Sequence, residues 1–373
     1  MGLEKRKNNG WCDMLVFITS FVSPHTLPLG LELTKYYERV VFINTMALTE
    51  ERKRMGYEIS DDRVEILTLG ECREKCKSLI YEARDVIMAG TWFDLVSERI
   101  NAGKQVFIAH ERIFKKGAIK WLDPRTWKMC RYFRTVRDKK VYLLSIGDFA
   151  ARDFKKLGFN PSKIYRFGYF PAIGESSDDL IRKDSEDGCR VLWVGRMVDF
   201  KRPVMAAKAF SSLPEEYSLT MIGDGALLPE VERYIANKKI KVELLGKLPN
   251  DKVKELMLRS DILLSTSDKG EGWGAVVNEG MSCGCAVVCS DSIGCAGTLA
   301  NRENAELFRT SSQKDLVRAI ISAAERRKVL SEASLKTIRD EYNPTVAAER
   351  FARLAASDDK CGASDGGVCS KVF

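Results

Sequence analysis

Residues 271–284 read EGWGAVVNEGMSCG and follow an apolar run, DILLSTS, at 261–267. The run has the length and aliphatic content of a buried parallel strand. A helix is expected to begin near Gly274, because Gly272 and Gly274 loosen the turn and Ala275, Val276, Val277 and Met281 then supply an apolar stripe. A helix that starts at a strand's carboxyl end points free N–H groups and the positive end of its dipole at the crevice there, and a phosphate is the usual occupant. Two carboxylates bracket the turn, Glu271 before it and Glu279 eight residues later. Eight residues of helix span about 12 Å, enough for one carboxylate to reach a sugar ring and the other a ribose, with a diphosphate over the amides between. Acids at a helix start also serve ordinary dipole complementation.

Outward from this stretch, short apolar strands alternate with helices on both sides. In the first half, strands are expected at 13–20, 40–44, 64–69, 85–89, 105–110, 141–145 and 163–169, with a first helix over 30–38 and a charged surface loop over 49–63. Residues 171–188, PAIGESSDDLIRKDSEDG, are polar, acidic and rich in breakers, as a linker would be. The pattern then restarts: strands at 189–194, 218–222, 241–245, 261–267 and 285–289, helices at 203–211, 228–237 and 250–259, and helices from 313 onward. This rhythm predicts an α/β protein of two Rossmann-like, doubly wound domains facing a central cleft. The expected boundaries are 1–172, a linker at 173–188, a second domain at 189–342, a last helix at 343–356 and a disordered tail at 357–373.

With 373 residues the chain is long enough for two such cores. No run approaches eighteen uncharged apolar residues, and the first residues, MGLEKRKNNGWCDM, lack the apolar stretch of a secretory signal. Eleven cysteines is an odd number, and Cys283, Cys285, Cys289 and Cys295 lie where small core residues are expected, so reduced thiols of a cytoplasmic protein are the better reading. With two histidines, no zinc-like Cys/His spacing and no D-x-D, no metal site is expected. The net charge of +8 is uneven: residues 1–173 hold 31 Lys and Arg against 21 Asp and Glu, leaving 29 against 31 for the rest.

The E-x7-E pattern of Glu271 and Glu279 within EGWGAVVNEGMSCGCAVVCSD resembles the signature of family 4 glycosyltransferases of the GT-B fold. The resemblance takes in VGRMVDFKRP (194–203), MIGDGALLPEVE (221–232), LLGKLP (244–249) and SDSIGCAGTL (290–299), in the family's order, and covers roughly 150 residues of the second half. It implies a retaining, metal-independent transfer from a nucleotide-diphosphate sugar, without cofactor, to a hydroxyl of a glycan or lipid-linked glycan. Arg196 and Lys201, five residues apart after a strand, are suited to converge on the diphosphate and neutralise the leaving group; a solvated loop is the plainer alternative. By resemblance Glu279 holds the ribose, Glu271 the donor sugar, and the main chain at Lys247 and Leu248 the base, while the phosphates lie by Gly274 and Ala275. Trp273 either packs over the donor or plugs the core. From the first domain, Gly30 would bring its backbone to the diphosphate or simply start a helix. His110, ending a strand in VFIAHERIFKKG, occupies a position where some similar enzymes contact the donor sugar, and His25 in SPHTLPLG is an acceptor-side candidate.

Residues 112–140 hold eleven Lys and Arg, among them Lys115, Lys116 and Lys120, with Trp121, Trp127, Tyr132 and Phe133 interleaved. Such a segment suits an anionic membrane surface or a pyrophosphate-linked acceptor, and equally a solvated basic helix. Because no RNA-binding signature accompanies it, peripheral contact with the inner face of a membrane is expected rather than nucleic acid. Two other classes stay open: an acceptor-independent GT-B enzyme such as a nucleotide-sugar epimerase, and a silent membrane- or nucleic-acid-binding protein.

Overall fold

A computed structural model describes residues 13–49, 59–173, 188–238, 240–358, 360, 362 and 366–372. The chain divides into two compact units, Met1–Ala172 with Asn343–Phe373, and Ile173–Tyr342.

In the first unit the strands β1 (Met14–Thr19), β2 (Arg39–Asn44), β3 (Glu65–Thr68), β4 (Asp85–Met88), β5 (Val106–His110), β6 (Val141–Ile146) and β7 (Ile164–Phe167) form one sheet in the order 3-2-1-4-5-6-7. All its pairings are parallel. The strand order reverses between β1 and β4, where ligands bind in sheets of this kind. Helices α1 (Leu27–Leu33), α2 (Arg73–Glu82), α3 (Phe93–Asn101), α4 (Pro124–Thr135) and α5 (Asp148–Lys156) make the crossovers. Both faces of the sheet are covered, which is why its strands read as unbroken apolar runs. In β1, Met14, Val16 and Ile18 enter one core cluster, while Phe17 stacks on Phe42 with ring centres 5.2 Å apart.

The second unit repeats the plan with β8 (Cys189–Val194), β9 (Tyr217–Ile222), β10 (Val242–Leu244), β11 (Ile262–Ser265), β12 (Ala286–Ser290) and β13 (Ala305–Phe308) in the order 10-9-8-11-12-13. Helices α6 (Pro203–Ala209), α7 (Leu228–Lys238), α8 (Asn250–Arg259), α9 (Ala275–Ser282), α10 (Gln313–Glu325) and α11 (Arg327–Asp340) cover it. Val191 and Trp193 enter the core on one face and Leu192 that on the other. Cys283 and Cys285 are buried in this second cluster, and the nine described cysteines are all free thiols. Burial pushes the Cys289 thiol up to about 12, so it stays protonated.

The last helix, α12 (Pro344–Ala356), belongs to the first unit, where Phe351 meets Phe107 edge to face at 5.0 Å and the Ala355 carbonyl accepts from Gln105. The expected disorder of the tail is corrected for residues 366–372. Ser370 accepts from the Arg166 amide, the Cys369 amide donates to Arg166, and Lys371 bridges Tyr165 antiparallel to β7. Val368 and Cys369 are buried, so this stretch covers the sheet's open edge and gains a core.

Two further expectations change. The first helix spans Leu27–Leu33 rather than 30–38, because Pro28 favours a helix's first turn. The strand β13 was not expected, since Glu306 interrupts its short apolar run; Arg326 and Ser322 hold that carboxylate at 2.6 and 2.9 Å. Of the linker expected at 173–188 and the loop expected at 49–63, residues 174–187 and 50–58 lie outside the described residues.

Candidate active site

At the carboxyl ends of the central strands of the second unit, the loops after β8, β9 and β10 are tied to one another. Gly195 donates to the Ile222 carbonyl at 3.0 Å, Met197 to that of Asp224 at 2.6 Å, and Gly223 to that of Gly246 at 2.7 Å. Gly223 has φ of 128°, and a Cβ there would lie 1.9 Å from the Gly195 oxygen, so only glycine permits this approach. Beneath the loops, Trp193 donates to Thr266 Oγ1 at 2.9 Å, and that hydroxyl donates to the Lys201 carbonyl at 2.7 Å. The Lys201 main chain is thereby fixed from the core side.

The Lys201 ammonium forms an ion pair with Glu271 Oε2, both side chains being largely buried, and Ser267 donates to the same oxygen at 3.1 Å. One carboxylate contact leaves an ammonium with two further protons to donate. Arg196 is exposed, and no side-chain hydrogen bond or ion pair engages it among the described residues. Next to this pair stands the start of α9. Gly274 caps it at φ of 92°, and a Cβ there would strike Ile293 at 2.5 Å, so the glycine serves both conformation and packing. Of the first amides of α9, that of Val277 donates to the carbonyl of the capping Gly274 at 2.9 Å, while those of Ala275 and Val276 have no acceptor within the helix.

Glu279 sits one turn further along α9, partly buried. Burial raises its carboxyl from 4.5 to about 7, against the opposing pull of Lys201 and Lys254. Between those values the folded protein holds a proton that the unfolded chain has released, so stability declines as pH rises from about 4.5 to about 7. The full effect is on the order of 3 kcal/mol. The Glu279→Gln variant is expected to gain stability relative to wild type on going from pH 5 to pH 8, as measured by urea unfolding at each pH. A constant difference across that range would remove the buried carboxyl as its source.

Trp273 is corrected as a donor-binding residue. Its side chain is fully buried, donates to Asn278 Oδ1 at 2.7 Å and lies 6.2 Å from the Tyr342 ring, so it plugs the core under the turn. Leu248 packs its side chain against the β8–β11 face core, and Lys247 pairs with Asp224 at 3.4 Å. Ala275 is half-buried at the helix start.

In the first unit, residues at the strand ends form a second polar group. Tyr169 donates to Glu111 Oε1 at 2.8 Å, Lys115 pairs with Glu111 Oε2 at 2.7 Å, and the His25 ring stacks on Tyr169 at 6.1 Å. His110 lies beside them, its Nδ1 2.6 Å from the Glu111 carbonyl. Burial lowers the pKa of both histidines, which favours neutral imidazoles at pH 7. Gly30 is inside α1, and a Cβ there would lie 2.4 Å from the Phe42 ring; helix-to-sheet packing therefore accounts for this glycine. Lys120 pairs with Asp123 at 2.7 Å as a brace for the next turn, whereas Lys116 is exposed.

The sequence reading did not select Ser267, Lys254 or Tyr169. Ser267 follows β11 in a run read only as strand, Lys254 is one of several charges on α8, and the pairing of Tyr169 with Glu111 crosses 58 positions. Among these, only Ser267 carried a local signal, four residues before Glu271.

The profile of the family described as "Glycosyl transferases group 1" matches residues 179–340. An uncharacterized glycosyltransferase of Methanocaldococcus jannaschii is 25% identical over 191 residues, 49% of this chain and 48% of that one. The phosphatidylinositol N-acetylglucosaminyltransferase GPI3 subunit of Saccharomyces cerevisiae is 27% identical over 199 residues, 51% of this chain and 44% of that one. The matches thus span less than half the length of these curated relatives. Among solved structures, HepE of Anabaena in complex with UDP superposes with a TM-score of 0.69 at 15% identity, covering 91% of this chain and 98% of that one. Residues 179–340 thus match the group 1 glycosyl transferases, and the chain shares its two-unit α/β fold with solved glycosyltransferase structures such as WaaG, at a TM-score of 0.60 and 15% identity over 92% of this chain and 100% of that one.

Proposed function

We propose that the protein is a retaining glycosyltransferase that moves a sugar from a nucleotide-diphosphate donor to a hydroxyl of a glycan or lipid-linked glycan. The observation that carries this reading is the Lys201–Glu271 ion pair, fixed beside the start of α9 with Arg196 exposed nearby. In the proposed step the bond from the anomeric carbon to the diphosphate oxygen breaks, and the acceptor oxygen bonds to that carbon on the same face. The acceptor's proton passes to the departing diphosphate. Lys201, Arg196 and the α9 amides stabilise the charge that develops there, Glu271 orients the donor sugar and Glu279 accepts from the ribose hydroxyls. Within the first unit, His110 and His25, whose pKa values burial lowers, remain the candidates for sugar contacts that the family resemblance suggests.

Two names support the substrate classes: HepE is described in complex with UDP, and the yeast relative is named for phosphatidylinositol. We place the protein in the cytoplasm, with residues 112–140 meeting the inner face of an anionic membrane. Among the described residues no helix is long and apolar enough to cross a membrane.

A thermal-shift screen across nucleoside diphosphates and their sugars tests the donor site. A ligand at 100 times its Kd adds about 2.7 kcal/mol, a shift of several degrees, and the absence of a shift with every nucleotide would remove the reading. Incubating the responding donor with and without a glycan acceptor separates transferase from epimerase. The anomeric configuration of the product, read by NMR, decides retention. Because cationic side chains and amides do the work of a metal here, turnover is expected to persist in excess chelator. Strict dependence on added magnesium or manganese would overturn the role given to Lys201 and Arg196.

A further inference from the structure

Seven large apolar side chains are exposed among the described residues, and three of them, Ile119, Leu122 and Trp127, fall within nine positions at 69%, 82% and 61% exposure. They stand on a braced turn. A 3-10 helix, Gly117–Leu122, runs directly into α4, whose start Asp123 caps by accepting from the Arg125 amide at 2.9 Å. Thr126 donates to the Lys120 carbonyl at 2.7 Å, and Trp127 Nε1 donates to the Trp121 carbonyl at 2.9 Å. Trp121 in turn packs on buried Phe114 at 5.1 Å and on Trp127 at 5.6 Å. The turn therefore holds its apolar groups outward.

The charge of this stretch selects the occupant. Lys116, Arg125, Lys128 and Arg131 are exposed in the same stretch of chain as the apolar tip, and the carboxylate of Asp123 is engaged by Lys120 and Arg125. Basic side chains in one stretch with a small apolar tip and its tryptophan match an anionic lipid interface, where acyl chains, carbonyl zone and headgroups meet those three kinds of group in turn. We propose that this turn inserts into an anionic bilayer, with Ile119, Leu122 and Trp127 below the headgroups and the four cations among them. The proposal rests on the membrane reading given above for residues 112–140 and adds insertion to it.

Salt separates the two. Docking by charge alone is erased as the Debye length falls from about 10 Å at 0.1 M to about 3 Å at 1 M salt, whereas an inserted tip retains part of its affinity. The test uses the full chain with vesicles of phosphatidylcholine alone or mixed with phosphatidylglycerol, sedimented at both salt concentrations. Wild type is expected to pellet with the mixed vesicles and to keep a salt-resistant fraction. The variant carrying Ile119→Ser, Leu122→Ser and Trp127→Ser should lose that fraction by about tenfold or more, with its nucleotide-induced thermal shift intact as the folding control. Brominated lipid should quench wild-type tryptophan emission more than that of Trp127→Phe. If the triple serine variant binds as wild type while Lys116→Gln, Arg125→Gln, Lys128→Gln and Arg131→Gln together abolish binding, charge docking stands and insertion fails. If neither vesicle binds wild type, both fail. A concentration-dependent dimer by sedimentation velocity, lost in the serine variant, would reassign the face to a second copy and overturn the proposal.

Discussion

Lys201→Ala is expected to lower kcat by about 10²- to 10³-fold, or 2.7–4 kcal/mol, the usual cost of removing one fixed group from developing negative charge. The lysine is held before any substrate arrives, by Glu271 on its ammonium and by Thr266 on its carbonyl, so little of its stabilisation goes to ordering it. Lys201→Arg should restore little, since a planar guanidinium does not reproduce a compact ammonium in a space shaped by the lysine stem against Gly195. Truncation also leaves the Glu271 carboxylate, only 15% exposed, without its cation. A loss of about 1–3 kcal/mol of stability follows. Pairing Lys201→Met with Glu271→Gln should recover the stability without the activity, which separates the two roles. A kcat within a few-fold of wild type in the alanine variant would exclude Lys201 from charge stabilisation.

Glu279→Ala is expected to weaken nucleotide binding by about 1.5–3 kcal/mol, roughly ten- to 150-fold, the value of a charge-assisted hydrogen bond to a hydroxyl pair. The same burial that raises this carboxyl makes its bond to ribose stronger once formed, because little water competes for it. Calorimetry with the nucleoside diphosphate and with its 2′-deoxy form gives the measurement. Wild type should lose affinity for the deoxy ligand and the alanine variant should be nearly indifferent to it. Equal affinity of wild type and variant for the ribonucleotide would remove Glu279 from the site.

Much of the fold was legible because both sheets are buried on two faces, so each strand announces itself as an apolar run and each crossover as a periodic stretch. The failures have physical causes. Ala305–Phe308 was invisible because a buried carboxylate satisfied by Arg326 breaks the run, a compensation made 20 positions away. The tail read as disorder because its order comes from main-chain pairing with β7, which leaves no trace in composition. At the site, the bracketed turn, the cap at Gly274 and the placement of Glu271 and Glu279 followed from local sequence. Whether Trp273 faced a ligand or the core did not, since its partner Asn278 is an unremarkable residue inside α9. The link from Lys201 to Glu271 spans 70 positions and becomes visible only when β8 and β11 are neighbours.

The first unit is discontinuous in the chain, and its last helix and the stretch that covers the edge at β7 come after the whole of the second unit. Synthesis therefore delivers the two bodies out of order. Residues 173–342 are contiguous and can close their sheet as soon as they emerge, whereas residues 1–172 must wait for about 30 final residues before Phe107 gains Phe351 and β7 gains its neighbour. Until then the unit that begins first carries an open strand edge and an uncovered aromatic face. Exposed edges and apolar faces of this kind are what make incomplete chains prone to aggregate, so a chain truncated after residue 342 is expected to hold a finished second unit tethered to an incomplete first.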